Sequence, residues 1–123
     1  MMEMDELTEK IINAAIEVHR VLGSGLLESI YEEALCIELQ QRGMFYERQV
    51  NVDVLYKGNL IKGQRIDLLV EKQVIVENKS VAKLPDVAKA QVLSYLKAIG
   101  LKRALLLNFG KQRLVDGIIR VSL

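Results

Sequence analysis

Residues 66–79 read IDLLVEKQVIVENK, two short apolar runs separated by three polar residues. Runs of this length and composition are typical of β-strands, and a nearly continuous apolar run indicates a strand that is buried on both faces. Each run carries one carboxylate, Asp67 in the first and Glu77 in the second. A turn centred on Lys72 places the two carboxylates opposite each other, whereas a two-residue turn sends them to opposite faces. We predict an odd-length turn at residues 71–73, or a bulge with the same effect.

Two carboxylates that face each other inside a sheet repel, so one takes up a proton or a cation lies between them. Oxygen ligands from Asp and Glu suit Mg²⁺ or Mn²⁺ rather than zinc. Lys79 lies on the same face as Glu77 because strand side chains alternate, so it is placed to polarise a water or neutralise a phosphate. A structural alternative stays open, in which Glu77 pairs with Lys79 and Asp67 pairs with Arg65.

Periodicity in the rest of the chain predicts helices on either side of a set of strands. Two runs with apolar residues at helical spacing precede the strands, and Pro85 and Gly100 delimit a later helix. An alternating run that ends at Tyr56, followed by Gly58-Asn59, predicts a strand and a hairpin turn. The predicted helices cover residues 5–22, 26–42 and 85–100, and the predicted strands cover residues 50–56, 60–70, 73–79, 104–109 and 118–121. The order ααβββαββ predicts a single α/β domain over residues 1–123, with a central mixed sheet of about five strands flanked by helices.

Composition narrows the class of protein. Half of the 123 residues are hydrophobic and the net charge is +1, which excludes a disordered chain. No apolar run reaches the roughly 20 residues that cross a bilayer, and the acidic N-terminus resembles no targeting signal. The lone Cys36 excludes an internal disulfide and a Cys-based zinc site. We expect a small, soluble, cytoplasmic domain with no membrane partner.

Charge is distributed unevenly along the chain. Residues 1–61 carry a balance of −6 and residues 62–123 a balance of +7. A basic half joined to an acidic half indicates a polyanionic partner on one side, although scattered surface lysines give the same count.

Three motifs carry a resemblance to a known group of enzymes. Asp67, nine further residues and then Glu77-Asn78-Lys79 resemble the signature of the PD-(D/E)XK nuclease superfamily, with Ile66 in place of its Pro. Residues 25–31, GLLESIY, resemble the GxxExxY pattern of a small bacterial and archaeal family within it. Residues 91–95, QVLSY, resemble the Gln-x-x-x-Tyr motif of RecB-type nucleases. The motifs occur in the expected order, and the predicted elements resemble the restriction-endonuclease-like core.

The resemblance implies a nuclease that depends on a divalent metal and hydrolyses phosphodiester bonds. Asp67 and Glu77 would bind Mg²⁺ or Mn²⁺ together with the backbone carbonyl of Asn78, and Lys79 would orient or deprotonate the attacking water. Glu28 would be a further acidic ligand, direct or through water.

The same resemblance implies a nucleic-acid substrate, with DNA favoured and RNA left open. Gln91 and Tyr95, one helical turn apart, would line the site or contact the scissile phosphate. A chain this short has little room for a recognition domain, so a homodimer or a partner subunit would supply specificity.

Other interpretations of these residues stay open. The whole chain could be a non-catalytic nucleic-acid-binding or protein-assembly module that retains the nuclease fold, as its near-zero net charge favours. Tyr31 and Tyr95 fit packing roles, Glu28 could merely complement the helix dipole, and His19 is expected to be solvated.

Overall fold

The computed structural model describes residues 4–123, which form three α-helices and five β-strands. Their order confirms the predicted ααβββαββ arrangement, with one short 3₁₀ turn added at Leu114–Gly117. The helices are α1 (Met4–Leu22), α2 (Glu28–Gln41) and α3 (Val87–Ile99), and the strands are β1 (Tyr46–Tyr56), β2 (Asn59–Val70), β3 (Val74–Lys79), β4 (Arg103–Asn108) and β5 (Ile118–Ser122).

The five strands form one mixed sheet in the order β1-β2-β3-β4-β5. The β3–β4 pair is parallel and the other pairs are antiparallel. A parallel pair needs a crossover connection, and α3 supplies it. The chain is therefore an α/β domain of the predicted class.

Apolar side chains fill the space on both faces of the sheet. On one face α1 and α2 pack against β-strand residues that include Leu68 and Val76. On the other face α3 packs against Ile75 and Leu106. This double cover explains why β3 reads as an almost continuous apolar run. No helix within residues 4–123 is long and apolar enough to cross a membrane.

The turn between β2 and β3 has the predicted odd length. Val70 pairs with Val74, which leaves residues 71–73 as the loop. Glu71 and Lys72 both adopt the left-handed conformation, with φ values of 52° and 55°. That conformation is unfavourable for residues other than glycine, and contacts with the start of β1 offset its cost. The Phe45 amide donates to the Glu71 carboxylate at 2.7 Å, and the Glu71 amide donates to the Phe45 carbonyl at 2.8 Å.

Strand β1 begins at Tyr46, four residues before the predicted start at Val50. The alternation is interrupted at Gln49, whose φ is 51° and which lacks a partner in the β1–β2 ladder. At the same point the β2 side chains change from one core to the other. Ile66 packs in the core under α3, whereas Leu68 packs in the core under α1 and α2. Asp67 lies between them, where the two cores meet.

The ends of β1 and β2 project beyond β3, which pairs only with the last residues of β2. We call residues 53–64 the hairpin arm. Its turn residues are Lys57 and Gly58, one position earlier than predicted, and both have positive φ as a two-residue hairpin turn requires. Two apolar arm residues that the alternation predicts to be half-buried are exposed, Val54 and Tyr56.

Candidate active site

Asp67 and Glu77 lie opposite each other where the β2–β3 ladder ends. The Asp67 amide donates to Oε1 of Glu77 at 2.8 Å, and the Asn78 amide donates to Oδ2 of Asp67 at 2.8 Å. The two carboxylates thus accept the hydrogen bonds that backbone carbonyls would accept in a continuing ladder. Within residues 4–123 the second oxygen of each carboxylate has no donor, and it stays available to a ligand.

Burial makes this carboxylate pair unfavourable when both members are charged. Burial is the largest cause that raises the pKa of Asp67, and it raises the pKa of Glu77 to about 7. The Asp67 charge adds to the shift at Glu77, while the backbone amides and Lys79 oppose the shifts. A bound cation would remove this penalty, so the pair has the electrostatics of a cation site.

The structural alternative, in which Glu77 pairs with Lys79 and Asp67 pairs with Arg65, is wrong. Neither Asp67 nor Glu77 forms an ion pair within the described part of the chain. Arg65 is exposed and makes no ion pair there. Lys79 is half-buried and acts on both carboxylates through its charge rather than through a close contact.

Helix α2 contributes two further carboxylates. Glu28, the first residue of α2, is exposed, and its charge raises the pKa of Asp67. Glu32, one turn later, is buried, and its charge raises the pKa of both strand carboxylates. Sequence reasoning identified Glu28 and missed Glu32. Its position next to Tyr31 on the buried face of α2, four residues after Glu28, was a signal in the sequence.

The Glu32 carboxylate is fully occupied by protein donors. Arg48 donates to Oε2 through Nη2 at 2.9 Å, and the Gln49 amide donates to Oε1 at 3.0 Å. Gln49 is the residue that lies across from Asp67 at the break in β1. Glu32 therefore fixes α2 to β1 beside the site, and both of its oxygens accept hydrogen bonds from β1.

A tyrosine closes the loop that leads into α2. Tyr31 donates from its hydroxyl to the Gly23 carbonyl at 2.5 Å and accepts from the Leu26 amide at 3.2 Å. Its ring stacks on Phe109, with centroids 4.5 Å apart. The packing role considered for Tyr31 is confirmed, and it explains the spacing of the motif at residues 25–31. The tyrosine sets where the loop ends, and hence where Glu28 begins the helix.

His19 differs from expectation. It is buried at the end of α1, and its Nε2 lies 2.9 Å from the Lys111 carbonyl. The expectation that it is solvated was wrong because the segment after β4 folds over the end of α1.

The end of β3 is held by a buried amide that the sequence did not reveal. Asn108 at the end of β4 donates to the Val81 carbonyl at 2.9 Å and accepts from the Val81 amide at 3.1 Å. These bonds extend the β3–β4 pairing past Lys79. A side chain at Gly110 is impossible without movement, since a Cβ there would lie 2.3 Å from the Val81 carbonyl oxygen.

Helix α3 approaches the carboxylates from the other core. Tyr95 is buried, and its pKa is raised by burial first and then by the charges of Glu77 and Asp67. Gln91, one turn earlier, is exposed, and its side chain opposes that shift. The structure therefore brings Tyr95 to the carboxylates and leaves Gln91 at the rim.

The donor chemistry at this point fits a hard divalent ion. Asp67 and Glu77 each offer an unused oxygen, as Mg²⁺ and Mn²⁺ prefer. The Asn78 side chain is 1% exposed and its amide has no hydrogen-bond partner in residues 4–123, and the Asn78 group that the resemblance assigns to the ion is its backbone carbonyl. No three acidic, His or Cys side chains in that range form a group that could hold a metal. The protein supplies two carboxylates, and further ligands would come from the backbone and water.

A comparison with protein families agrees with this geometry. A family model described as the PD-(D/E)XK nuclease superfamily matches residues 5–121. No curated protein and no solved structure matches the chain significantly. The narrower GxxExxY assignment stays a prediction.

Proposed function

Because the chain belongs to the PD-(D/E)XK nuclease superfamily, we propose that it is a divalent-metal-dependent nuclease that hydrolyses phosphodiester bonds in nucleic acid, DNA rather than RNA. Nucleases of this superfamily generally use divalent metal ions. The observation that carries the proposal is the facing pair of half-buried Asp67 and buried Glu77, with one unused oxygen each. Without a cation one member of this pair stays protonated, whereas a bound ion lets both carboxylates be charged.

In this proposal Asp67, Glu77 and the Asn78 carbonyl hold Mg²⁺ or Mn²⁺. Glu28 acts through a water, since it does not join the other carboxylates in a group of three. When bound, such an ion lowers the pKa of a coordinated water and neutralises phosphate charge.

The remaining residues act on the substrate. Lys79 lies on the same strand face as Glu77, where its ammonium orients the attacking water or neutralises a phosphate oxygen. Tyr95 and Gln91 line the side of the site formed by α3, and the Tyr95 hydroxyl hydrogen-bonds the scissile phosphate. A homodimer or a partner subunit supplies specificity.

The test is cleavage of labelled single-stranded, duplex and branched DNA and of RNA, each with Mg²⁺, Mn²⁺ or EDTA. The wild type should cut at least one substrate with metal and none with EDTA. Asp67→Asn, Glu77→Gln and Lys79→Ala should each lower the rate by about a hundredfold or more. Glu6→Gln, which neutralises an exposed carboxylate on α1, is the control and should leave the rate unchanged. Cleavage by the Glu77 and Lys79 variants at the wild-type rate, or no cleavage of any substrate, overturns the proposal.

A second candidate is a non-catalytic nucleic-acid-binding or assembly module with this fold. The observation that favours it is the lack, within residues 4–123, of a complete three-residue ligand group. Melting curves with Mn²⁺ separate the two candidates, because an ion that binds only the folded state raises the melting temperature. The nuclease predicts a rise that Asp67→Asn abolishes, and the module predicts no rise.

A further inference from the structure

The face of the molecule formed by α3 and the hairpin arm is basic. Residues 53–65 and 83–99 carry two carboxylates, Asp53 and Asp86, and six exposed cations. None of these cations forms an ion pair within the described chain. The six are Lys57, Lys62, Arg65, Lys83, Lys89 and Lys97. These two segments together carry a balance of +4, which attracts a polyanion.

A groove of about 810 Å³ separates the arm from α3. Its apolar lining includes Leu55 and Leu60, which are 69% and 64% exposed although they belong to a paired hairpin. Gln64 and Ser94 add polar groups, and Lys97 adds a cation. The groove therefore combines apolar area, hydrogen-bonding groups and positive charge.

Both walls of the groove belong to elements that also carry candidate site residues. Gln64 on β2 precedes Asp67 by three residues, about 10 Å along an extended strand. Ser94 on α3 is adjacent to Tyr95, whose pKa is raised by the Glu77 and Asp67 charges. A linear ligand whose reacting group lies at the carboxylates would continue into the groove.

We propose that this groove binds an unpaired stretch of the nucleic-acid strand next to the scissile phosphate, with bases against Leu55 and Leu60 and phosphates toward Lys97. The inference deepens the proposed function and rests on it. It makes a single-stranded region, rather than an intact duplex, the substrate feature that the protein selects.

The chemistry of the lining favours bases over phosphates inside the groove. Asp53 lines it too, and its carboxylate repels phosphate but accepts hydrogen bonds from the amino groups of bases. Apolar side chains gain from contact with the faces of bases, which are accessible only when the bases are unpaired. A duplex would present its phosphate backbone to Leu55 and Leu60 and would leave this apolar area without a partner.

The test is the affinity of labelled oligonucleotides of about 12 nucleotides, measured by fluorescence anisotropy in EDTA, where no cleavage occurs. Wild type should bind the single strand more tightly than a duplex of the same sequence. Lys97→Glu and Leu60→Ser should each weaken single-strand binding by about tenfold. The matched controls are Lys10→Glu and Val21→Ser, which make the same chemical changes at exposed positions on α1. Both controls should keep the affinity within about twofold.

Equal affinity in the groove and control variants, or tighter binding of the duplex, overturns the inference. The inference is also overturned if light scattering gives the mass of a dimer for wild type and of a monomer for Leu60→Ser. In that case the arm binds a second copy of the chain. A parallel cleavage assay with Mn²⁺ keeps the two proposals apart. A protein that binds the strand through the groove but never cuts refutes the nuclease alone, and one that cuts while the groove variants bind normally refutes the groove alone.

Discussion

The Ser80 hydroxyl donates a hydrogen bond of 2.6 Å to the Leu26 carbonyl. This bond joins Ser80, which directly follows the last residue of β3, to the loop that precedes Glu28, the first residue of α2. The connection closes a ring of contacts, because Leu26 also bonds Tyr31, Tyr31 stacks on Phe109, and the Phe109 amide donates to the Lys79 carbonyl at 2.8 Å. The ring fixes the position of the helix that carries Glu28 relative to the strand that carries Glu77.

Removing the Ser80 hydroxyl should therefore weaken metal binding through Glu28. We expect Ser80→Ala to raise the Mn²⁺ concentration that gives half of the maximal melting shift by about threefold to tenfold, and Ser80→Thr to restore it. The double variant with Glu28→Gln should bind no more weakly than Glu28→Gln alone, because the hydroxyl acts by way of that carboxylate. Additive losses in this cycle would refute the positioning role.

The raised pKa of Glu77 predicts how stability depends on pH without metal. The unfolded chain releases this proton near pH 4.5 and the folded chain near pH 7. The folded state binds more protons between these values, so its free energy of unfolding falls as pH rises from about 4.5 to about 7 and then levels off. The decline amounts to about 3 kcal/mol, since each pKa unit is worth about 1.4 kcal/mol. Denaturant titrations from pH 4 to pH 8 in EDTA measure it.

Two changes should flatten that pH profile. Glu77→Gln removes the titrating group, and saturating Mn²⁺ displaces the proton from the folded state. Glu6→Gln, the exposed control, should keep the decline. A free energy of unfolding in EDTA that stays constant or rises over this interval would contradict the assignment of a proton to the buried pair.

The strand pair that carries the site could be predicted because its signals are local. The lengths of the apolar runs around residues 71–73 define both the strands and the turn, and that turn alone decides whether Asp67 faces Glu77. The left-handed residues Glu71 and Lys72 were not foreseeable, because they depend on contacts with Phe45, which is distant in the sequence.

Residues that act through distant partners were missed for the same reason. Glu32 is informative only once Arg48 and Gln49 are placed beside it, and Asn108 only once Val81 is opposite. In the sequence a glutamate on a helix and an asparagine after a strand have many ordinary explanations. Tertiary pairing, rather than residue type, gives them their roles.

Truncation of Arg48, which pairs with buried Glu32, should lower the free energy of unfolding more than truncation of Arg42. Arg48→Ala leaves the Glu32 carboxylate, 9% exposed, without its cation, and we expect a loss of about 1–3 kcal/mol in the free energy of unfolding. This range allows for the exposure of Arg48 itself. Arg42→Ala breaks a more exposed pair, between the residue that caps the end of α2 and Glu38 on that helix, and should cost under about 0.5 kcal/mol. Equal losses from urea titrations would show that burial does not strengthen the first pair.

Replacing the Asn78 side chain by an apolar one should stabilise the folded protein. Its amide is buried with no partner within residues 4–123, and an unsatisfied buried polar group costs about 1–3 kcal/mol. Asn78→Leu, of similar volume, should raise the free energy of unfolding by about 1 kcal/mol and leave Mn²⁺ binding unchanged, because the backbone carbonyl remains. Asn108→Leu is the contrasting variant, since it removes both bonds to Val81, and it should destabilise by about 2 kcal/mol or more. If Asn78→Leu abolishes Mn²⁺ binding in an otherwise stable protein, the side chain itself, rather than the carbonyl, is the ligand at this position.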